Sequence, residues 1–529
     1  PILIIPTGFS SNRVIRTSFR CNGTNKIYHL LLHIESEKGA VNITIQPVMK
    51  LVNLLPCELQ IQLGETRKGK IEETEEITIG TADETHCSVD CRKKPHISIR
   101  VPGYNWSQWN MIINRVLNEQ TWLPKEEGEG RLYETSNDDP HANEIKTILM
   151  LEHACRDAPH LKLILSVEPG HIPVIRVYAQ YWVIDKTALG LIFTSGIKSG
   201  SQLDQESLRT TYLSRSAEKH IPNLDMDADG HQWSLGISGM SLFYSAEKTI
   251  SFAVGGGSSS SRWSSSIDVA KSMPETVKTA ISVDAVDGSK RFELACSVTV
   301  CPSLFSRTSV IAFFPRYQVV NLIGEEIYVA QEGALEHSTQ VSTQSGVHIS
   351  GLDSQLPPKI RFSVAPDLWT SGAIQLDKVG ITSIRIPTRT ESTLIVQCEV
   401  RLASKKQDSA VVIVVWKSNE KQNPLYLLRN TTHKTVFCSQ LLSQSTESQT
   451  PQQSQNLSFV DMLQCGSGLD SFDDDDDGIF NAFVWTLGPG ESKVFGFCNP
   501  EKSHRLQWSV NKSDLFMQCA NTIDVNTVG

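Results

Sequence analysis

An all-β chain, built as a tandem array of about four β-sandwich modules, is the architecture this sequence predicts, and three observations lead to it. A thirteen-residue pattern centred on Asn or Asp recurs four times, at Asn53, Asp185, Asn321 and Asn430. The intervals between these residues, 132, 136 and 109, each suit a sandwich of about a hundred residues; solenoid repeats and propeller blades of about 40 to 45 residues are excluded. Helical periodicity is scarce, with 201–213 and 270–283 as the best candidate stretches.

The four copies are MKLVNLLPCELQI, YWVIDKTALGLIF, YQVVNLIGEEIYV and YLLRNTTHKTVFC. Counted from the central residue, position −4 is Met49, Tyr181, Tyr317 and Tyr426, and position −2 is Leu51, Val183, Val319 and Leu428. Position +6 is Leu59, Leu191, Ile327 and Val436, and +8 is Ile61, Phe193, Val329 and Cys438. Alternate apolar residues put one face of each strand into a core, and the central residue marks a turn between them, so each copy reads as a β-hairpin. Asn and Asp suit that turn because their short side chains bond nearby backbone groups and tolerate positive φ.

A second block follows each copy. Ile97, Ile99 and Val101 precede Trp106-Ser107; Ile250, Phe252 and Val254 precede Trp263-Ser264; Ile360, Phe362 and Val364 precede Trp369-Thr370. The fourth copy offers only Trp508-Ser509. Apolar strands from Tyr28, Leu161, Phe292 and Ala410 lie upstream of the four central residues. The pattern divides the chain into 1–158, with the first module and an N-terminal strand, then 159–290, 291–408 and 409–529. Polar insertions follow Gly255 and Ser439, and the acidic run Asp473 to Asp477 repels itself.

At 529 residues the chain exceeds what one hydrophobic core supports. The net charge of −9 provides no basic excess for nucleic acid. No apolar stretch approaches the roughly 20 residues of a bilayer span, so direct membrane insertion is not expected. A start at Pro1 suggests a piece of something longer. The 12 cysteines are scattered, several within apolar runs, which fits reduced thiols in a cytoplasmic setting. Six glycosylation sequons, at Asn22, Asn42, Asn105, Asn430, Asn456 and Asn511, barely exceed the about four expected by chance.

Candidate chemistry is thin. The strings from Asp225 and Asp473 begin like calcium loops, but Gly236 and Val484 stand where the bidentate Glu belongs. His86, Cys87, Cys91 and His96 match no paired zinc knuckle. GLIFTSGIKS, from Gly190, misses the phosphate-loop spacing. No nucleophile elbow occurs and no His recurs in the repeats, so no catalytic residue, metal site or cofactor is expected. The recurrent Trp106, Trp263 and Trp369 suit core packing, and Asn53, Asp185, Asn321 and Asn430 suit a structural turn, with partner recognition as the alternative role for both sets.

Large β-modules each marked by a solitary Asn, above all YWVIDKTALGLIF and PRYQVVNLIGEEIYVAQEG, resemble the adaptor-binding domain of the vacuolar-protein-sorting-thirteen family of bridge-like lipid-transfer proteins. The resemblance covers essentially the whole chain. It carries the family's recurring Asn onto Asn53, Asn321 and Asn430; Asp185 departs from it, as does Ala188, where Gly is usual, and these departures with the long insertions hint at the D paralogue. It implies a hook or arch of six modules, against the four counted here. The function implied is capture of adaptor proteins through Pro-X-Pro segments, a mitochondrial outer-membrane GTPase among them. That would place a lipid-conducting protein peripherally at organelle membranes and contact sites, including mitochondrion and endoplasmic reticulum. A preordered proline segment lies along a sheet edge at low entropic cost. The alternative is an extracellular β-sandwich glycoprotein or a scaffold without peptide binding.

Overall fold

The computed structural model describes residues 13–20, 27–37, 40–67, 70–87, 95–111, 144–152, 154, 160–168, 172–195, 212–213, 240–254, 261–270, 278–349, 351–366, 368–370, 372–388, 394–404, 407–418, 424–440, 484–499, 505–512 and 521–525. The expected all-β architecture is observed: the described helical turns, such as those at Ser303–Phe305 and Leu335–His337, are short 3-10 segments. The chain forms two compact units, one of residues 1–257, 263–275 and 297–313, the other of 258–262, 276–296 and 314–529.

The first unit opens with an antiparallel sheet of Arg13–Arg20, Ile27–Glu37 and Ala40–Pro47. Its first module has a five-stranded sheet in which the lead strand, Met49–Asn53, lies between Glu84–Cys87 and Val174–Tyr178, with Leu161–Glu168 and Ile145–Leu151 beyond. The second sheet orders Lys70–Ile79, Leu59–Arg67, His96–Arg100 and Asn110–Met111. In the second module the lead strand Tyr181–Asp185 lies between Met240–Phe243 and Ser309–Pro315. Leu191–Thr194 and Thr249–Val254 form the centre of the other sheet, and Phe313 of the first sheet meets Phe193 and Phe252 of the second at ring distances of 5.1 and 5.0 Å.

The second unit repeats the plan. Its lead strand Tyr317–Asn321 lies between Ser345–Ile349 and Val411–Lys417, and Ile327–Gln331 pairs with Lys359–Ser363 in the other sheet. Tyr317, Val319, Ile413 and Val415 of one sheet share one core with Ile327, Val329, Ile360 and Phe362 of the other, each side chain contributing about 1.5 to 3 kcal/mol by burial. The last module pairs Leu427–Arg429 with Ser492–Val494, beside a four-stranded sheet of Trp485–Leu487, Val436–Gln440, Arg505–Ser509 and Asn521–Asp524.

Four expectations are corrected here. The strands flanking each central residue do not form a hairpin: in all four copies they belong to different sheets. Period-2 burial shows which face of a strand is inward but not which strand it pairs with, and the central residue turns the chain across the sandwich. The sheets also run across the boundaries at 158, 290 and 408, since Leu161–Glu168, Ser309–Pro315 and Val411–Lys417 complete the sheets of the preceding lead strands. Parallel pairing needs a long crossover, and here an entire half-sandwich serves as one. Within 270–283, the part from 279 on lies in the strand Thr279–Asp284 rather than a helix; of 201–213 only the strand Tyr212–Leu213 is described. Finally, Trp508 pairs with Cys438, so it stands in the place of Ile99, Phe252 and Phe362 and not in that of the other recurrent tryptophans.

Candidate functional site

The recurring feature of the molecule is the corner at which each lead strand crosses to the opposite sheet. In three modules an Asn side chain holds it in the same way. Oδ1 of Asn53, Asn321 and Asn430 accepts the N–H two residues on, from Leu55, Ile323 and Thr432, at 2.9, 2.8 and 3.0 Å. Nδ2 donates to the carbonyl four residues on, of Cys57, Glu325 and Lys434, at 2.8, 2.9 and 2.7 Å. It also donates to two consecutive carbonyls of a neighbouring segment: Ile79 and Gly80, Val341 and Ser342, Leu487 and Gly488. The three side chains are buried, so their hydrogen-bonding capacity serves the corner itself. At Asn430 this also leaves no amide open for a glycan.

Asp185 solves the corner differently. Oδ1 still accepts the N–H two residues on, from Thr187 at 2.8 Å, along with the Thr187 hydroxyl. Oδ2 accepts the N–H of Leu191 at 3.0 Å, the first residue of the next strand. To turn that N–H inward, the backbone takes φ of 59° at Ala188 and 65° at Gly190. Glycine tolerates this region freely, and alanine does so at a cost of about 1 to 2 kcal/mol.

A second device was hidden in the tryptophan block. Ser107, Ser264 and Thr370 are buried, and each backbone N–H donates to the carbonyl of Ile99, Phe252 or Phe362, at 2.8, 2.8 and 2.9 Å. Each hydroxyl oxygen accepts the N–H of that same residue, at 3.0, 3.0 and 3.2 Å, and donates onward to the carbonyl of Gln108, Ser265 or Gly372. The hydroxyl thus clips the strand's last turn back onto its inner residue. The signal is legible as Trp-Ser, Trp-Ser and Trp-Thr, the hydroxyl residue following the aromatic each time.

The tryptophans themselves differ. Trp263 is buried; Trp106 is half-buried beneath the Arg100 guanidinium at 4.7 Å; Trp369 is half-buried and donates Nε1–H to Pro366 at 2.9 Å. In the third module, Tyr317 donates its hydroxyl to Asp377 at 2.7 Å, and Arg316 bridges Asp377 and Glu293 at 2.7 and 2.6 Å. Burial, and then the bond to Asp377, push the Tyr317 phenol well above its usual range. Cys87 turns its thiol to the Met49 carbonyl and His96 is buried, while Cys91 and the strings from Asp225 and Asp473 lie outside the described residues.

Tandem sandwiches with internally satisfied corners, offering strand edges and half-buried aromatic rims, define a class of protein: a β-sandwich scaffold. The profile of the family described as Vacuolar-sorting associated protein 13, adaptor binding domain, matches residues 15–462, and the chain belongs to that family. A comparison with individual characterised proteins gave no match. The family is a non-catalytic binding module for adaptor proteins in the setting of lipid transport. Among the described residues no helix is long and apolar enough to cross a membrane.

Proposed function

We propose that this chain recruits adaptor proteins by holding short Pro-X-Pro-type segments, and thereby targets a bridge-like lipid-transfer protein to organelle membranes. The family match over residues 15–462 carries this reading. The geometry agrees with it: corner side chains are spent internally, so recognition falls to strand edges and to the rims around Trp106 and Trp369 rather than to the Asn series. An acidic chain has little intrinsic attraction to anionic lipid, and a protein adaptor supplies the address. The corners are structural, no enzymatic step is involved, and the setting is the cytoplasmic face of organelle contact sites, a mitochondrial outer-membrane GTPase being one adaptor of this kind. Asp185 and the long insertions favour the D paralogue within the family.

The test is fluorescence-anisotropy titration of a Pro-X-Pro peptide into the chain, beside the same peptide with both prolines replaced by alanine. Saturable binding that is lost in the alanine peptide is expected. Binding indifferent to proline, or none at concentrations where the chain is folded, rejects this mode of recognition.

A further inference from the structure

Within the second unit, two short segments reach back to a strand of an earlier sheet, and both leave from the same place in the repeat. In the third module Ser345–Ile349 flanks the lead strand, and just beyond it Gly351–Asp353 pairs antiparallel with residues 290–292 of the strand Lys290–Val300. In the fourth module Ser492–Val494 flanks the lead strand, and residues 495–497 follow at once. Phe497 stands in a parallel bridge with Ile384, on Gly380–Ile386, which ends the order of the third module's lead sheet among the described residues. The Phe497 N–H donates to the Ser383 carbonyl at 2.9 Å, the Arg385 N–H donates to the Phe497 carbonyl at 3.2 Å, and the Ser383 hydroxyl donates to the Phe495 carbonyl at 2.9 Å.

The side chains of the same segment belong to the other sandwich. Phe495 and Phe497 are fully buried in the fourth module's core, with their ring centroids 5.0 Å apart. Phe497 meets Tyr426 at 5.2 Å and Phe495 meets Trp485 at 4.5 Å, while the Phe495 N–H donates to the Tyr426 carbonyl at 3.1 Å. Leu352 repeats the arrangement one module earlier: its side chain lies in the third module's core and its backbone stands beside Arg291.

Gly496, between the two phenylalanines, is what lets the backbones meet. A Cβ there would stand 3.0 Å from the carbonyl carbon and oxygen of Ile384 and from Cγ2 of Ile395, and such a close approach of two backbones is where a strand needs glycine. Beside it, the Arg385 guanidinium of the third module lies over the Trp485 ring of the fourth at 4.6 Å.

We propose that residues 495–497 are a clasp that makes the third and fourth modules one rigid body, opening together rather than moving independently. Relative motion is the ordinary expectation for tandem domains. Here the backbone of the clasp is bonded to one sandwich and its two aromatic side chains are locked into the next, so neither module can turn without breaking those bonds or emptying a core. A partner held by one of the two modules is thereby held at a fixed angle to the other.

Native-state hydrogen exchange of the whole chain, followed with rising urea, tests this. The amides of Arg385 and Phe497 report the clasp; those of Leu322, bonded to Val415, and of Asn430, bonded to Glu491, report the interiors of the third and fourth modules. In the wild type all four are expected to converge on one opening curve. Gly496→Ala, which crowds the Ile384 carbonyl, is expected to speed exchange at Arg385 and Phe497 by about tenfold and to separate the Leu322 and Asn430 curves. Ser383→Ala removes only the hydroxyl bond to Phe495 and lies outside the fourth module; a smaller change at the same two amides is expected, and this variant decides the matter if Gly496→Ala unfolds the fourth module. Clasp amides that exchange in the wild type well ahead of the interior pair, or protection undiminished in every variant that stays folded, overturn the proposal.

Discussion

The corners at Asn321 and Asp185 join equivalent strands across equivalent sandwiches, and they share one bond, from the N–H two residues on to Oδ1. Everything else about them is inverted. Asn321 donates to three carbonyls, whereas Asp185 accepts the Leu191 N–H and bends the backbone through Ala188 and Gly190 to obtain it. What a crossing needs is therefore an acceptor that stops the lead strand; the second half of the side chain takes whichever partner the local backbone presents. Asn and Asp are close to isosteric, yet each fits only its own corner, because a donor and an acceptor cannot be exchanged in a buried site without leaving partners unmatched.

Exchanging the two residues is the sharpest way to break the comparison. Asn321→Asp sets a carboxylate oxygen against the carbonyls of Glu325 and Val341, and a loss of about 3 to 5 kcal/mol is expected from urea unfolding of the second unit. Asn321→Ala is expected to lose about 2 to 4 kcal/mol, since three carbonyls and the Ile323 N–H are left without their partner; an unchanged midpoint with lost peptide binding would make the side chain a recognition element instead. Asp185→Asn turns an amide donor towards the Leu191 N–H, with about 1 to 3 kcal/mol expected by the same measurement on the first unit.

The clip sharpens the comparison at a smaller scale, because both kinds of corner share it. Thr370→Val keeps the shape but leaves the Phe362 N–H and Gly372 carbonyl unpaired, and about 1 to 2 kcal/mol is expected, with Ser264→Ala similar in the Asp-cornered module. Alkaline pH probes the cores. Burial pushes the Cys398 thiol up to about 12, so the unfolded chain releases this proton from about pH 9 upward while the folded chain retains it. Stability contributed below pH 9 is then lost as pH rises from 9 towards 12, by about 1 kcal/mol one unit into the window; Cys398→Ala should flatten that slope of the urea midpoint. The smallest effect belongs to Ala188→Gly, which relieves the positive φ at the Asp corner but adds freedom to the unfolded chain, for a net gain of about 0.5 kcal/mol in thermal unfolding.

The four lead strands, their inward positions and their central residues were all legible, because period-2 burial and a repeated polar exception survive in one dimension. The family followed from them. The hydroxyl clip was half legible: Ser107, Ser264 and Thr370 recur beside tryptophan, but a hydroxyl that bonds a strand eight to twelve residues earlier leaves no periodic trace. The inverted chemistry of Asp185 was legible only as a lost donor, since the gain of the Leu191 N–H depends on the backbone angles between them.

By itself, then, the sequence determined that the chain is all-β, which faces of the lead and return strands are inward, and where each strand must stop, since these follow from local alternation and from side chains that bond within a few residues. Only the tertiary structure decided which strands pair. That Val174–Tyr178, Ser309–Pro315 and Val411–Lys417 close the modules before them is a matter of register between segments far apart in the chain, and alternation looks the same whichever neighbour a strand finds.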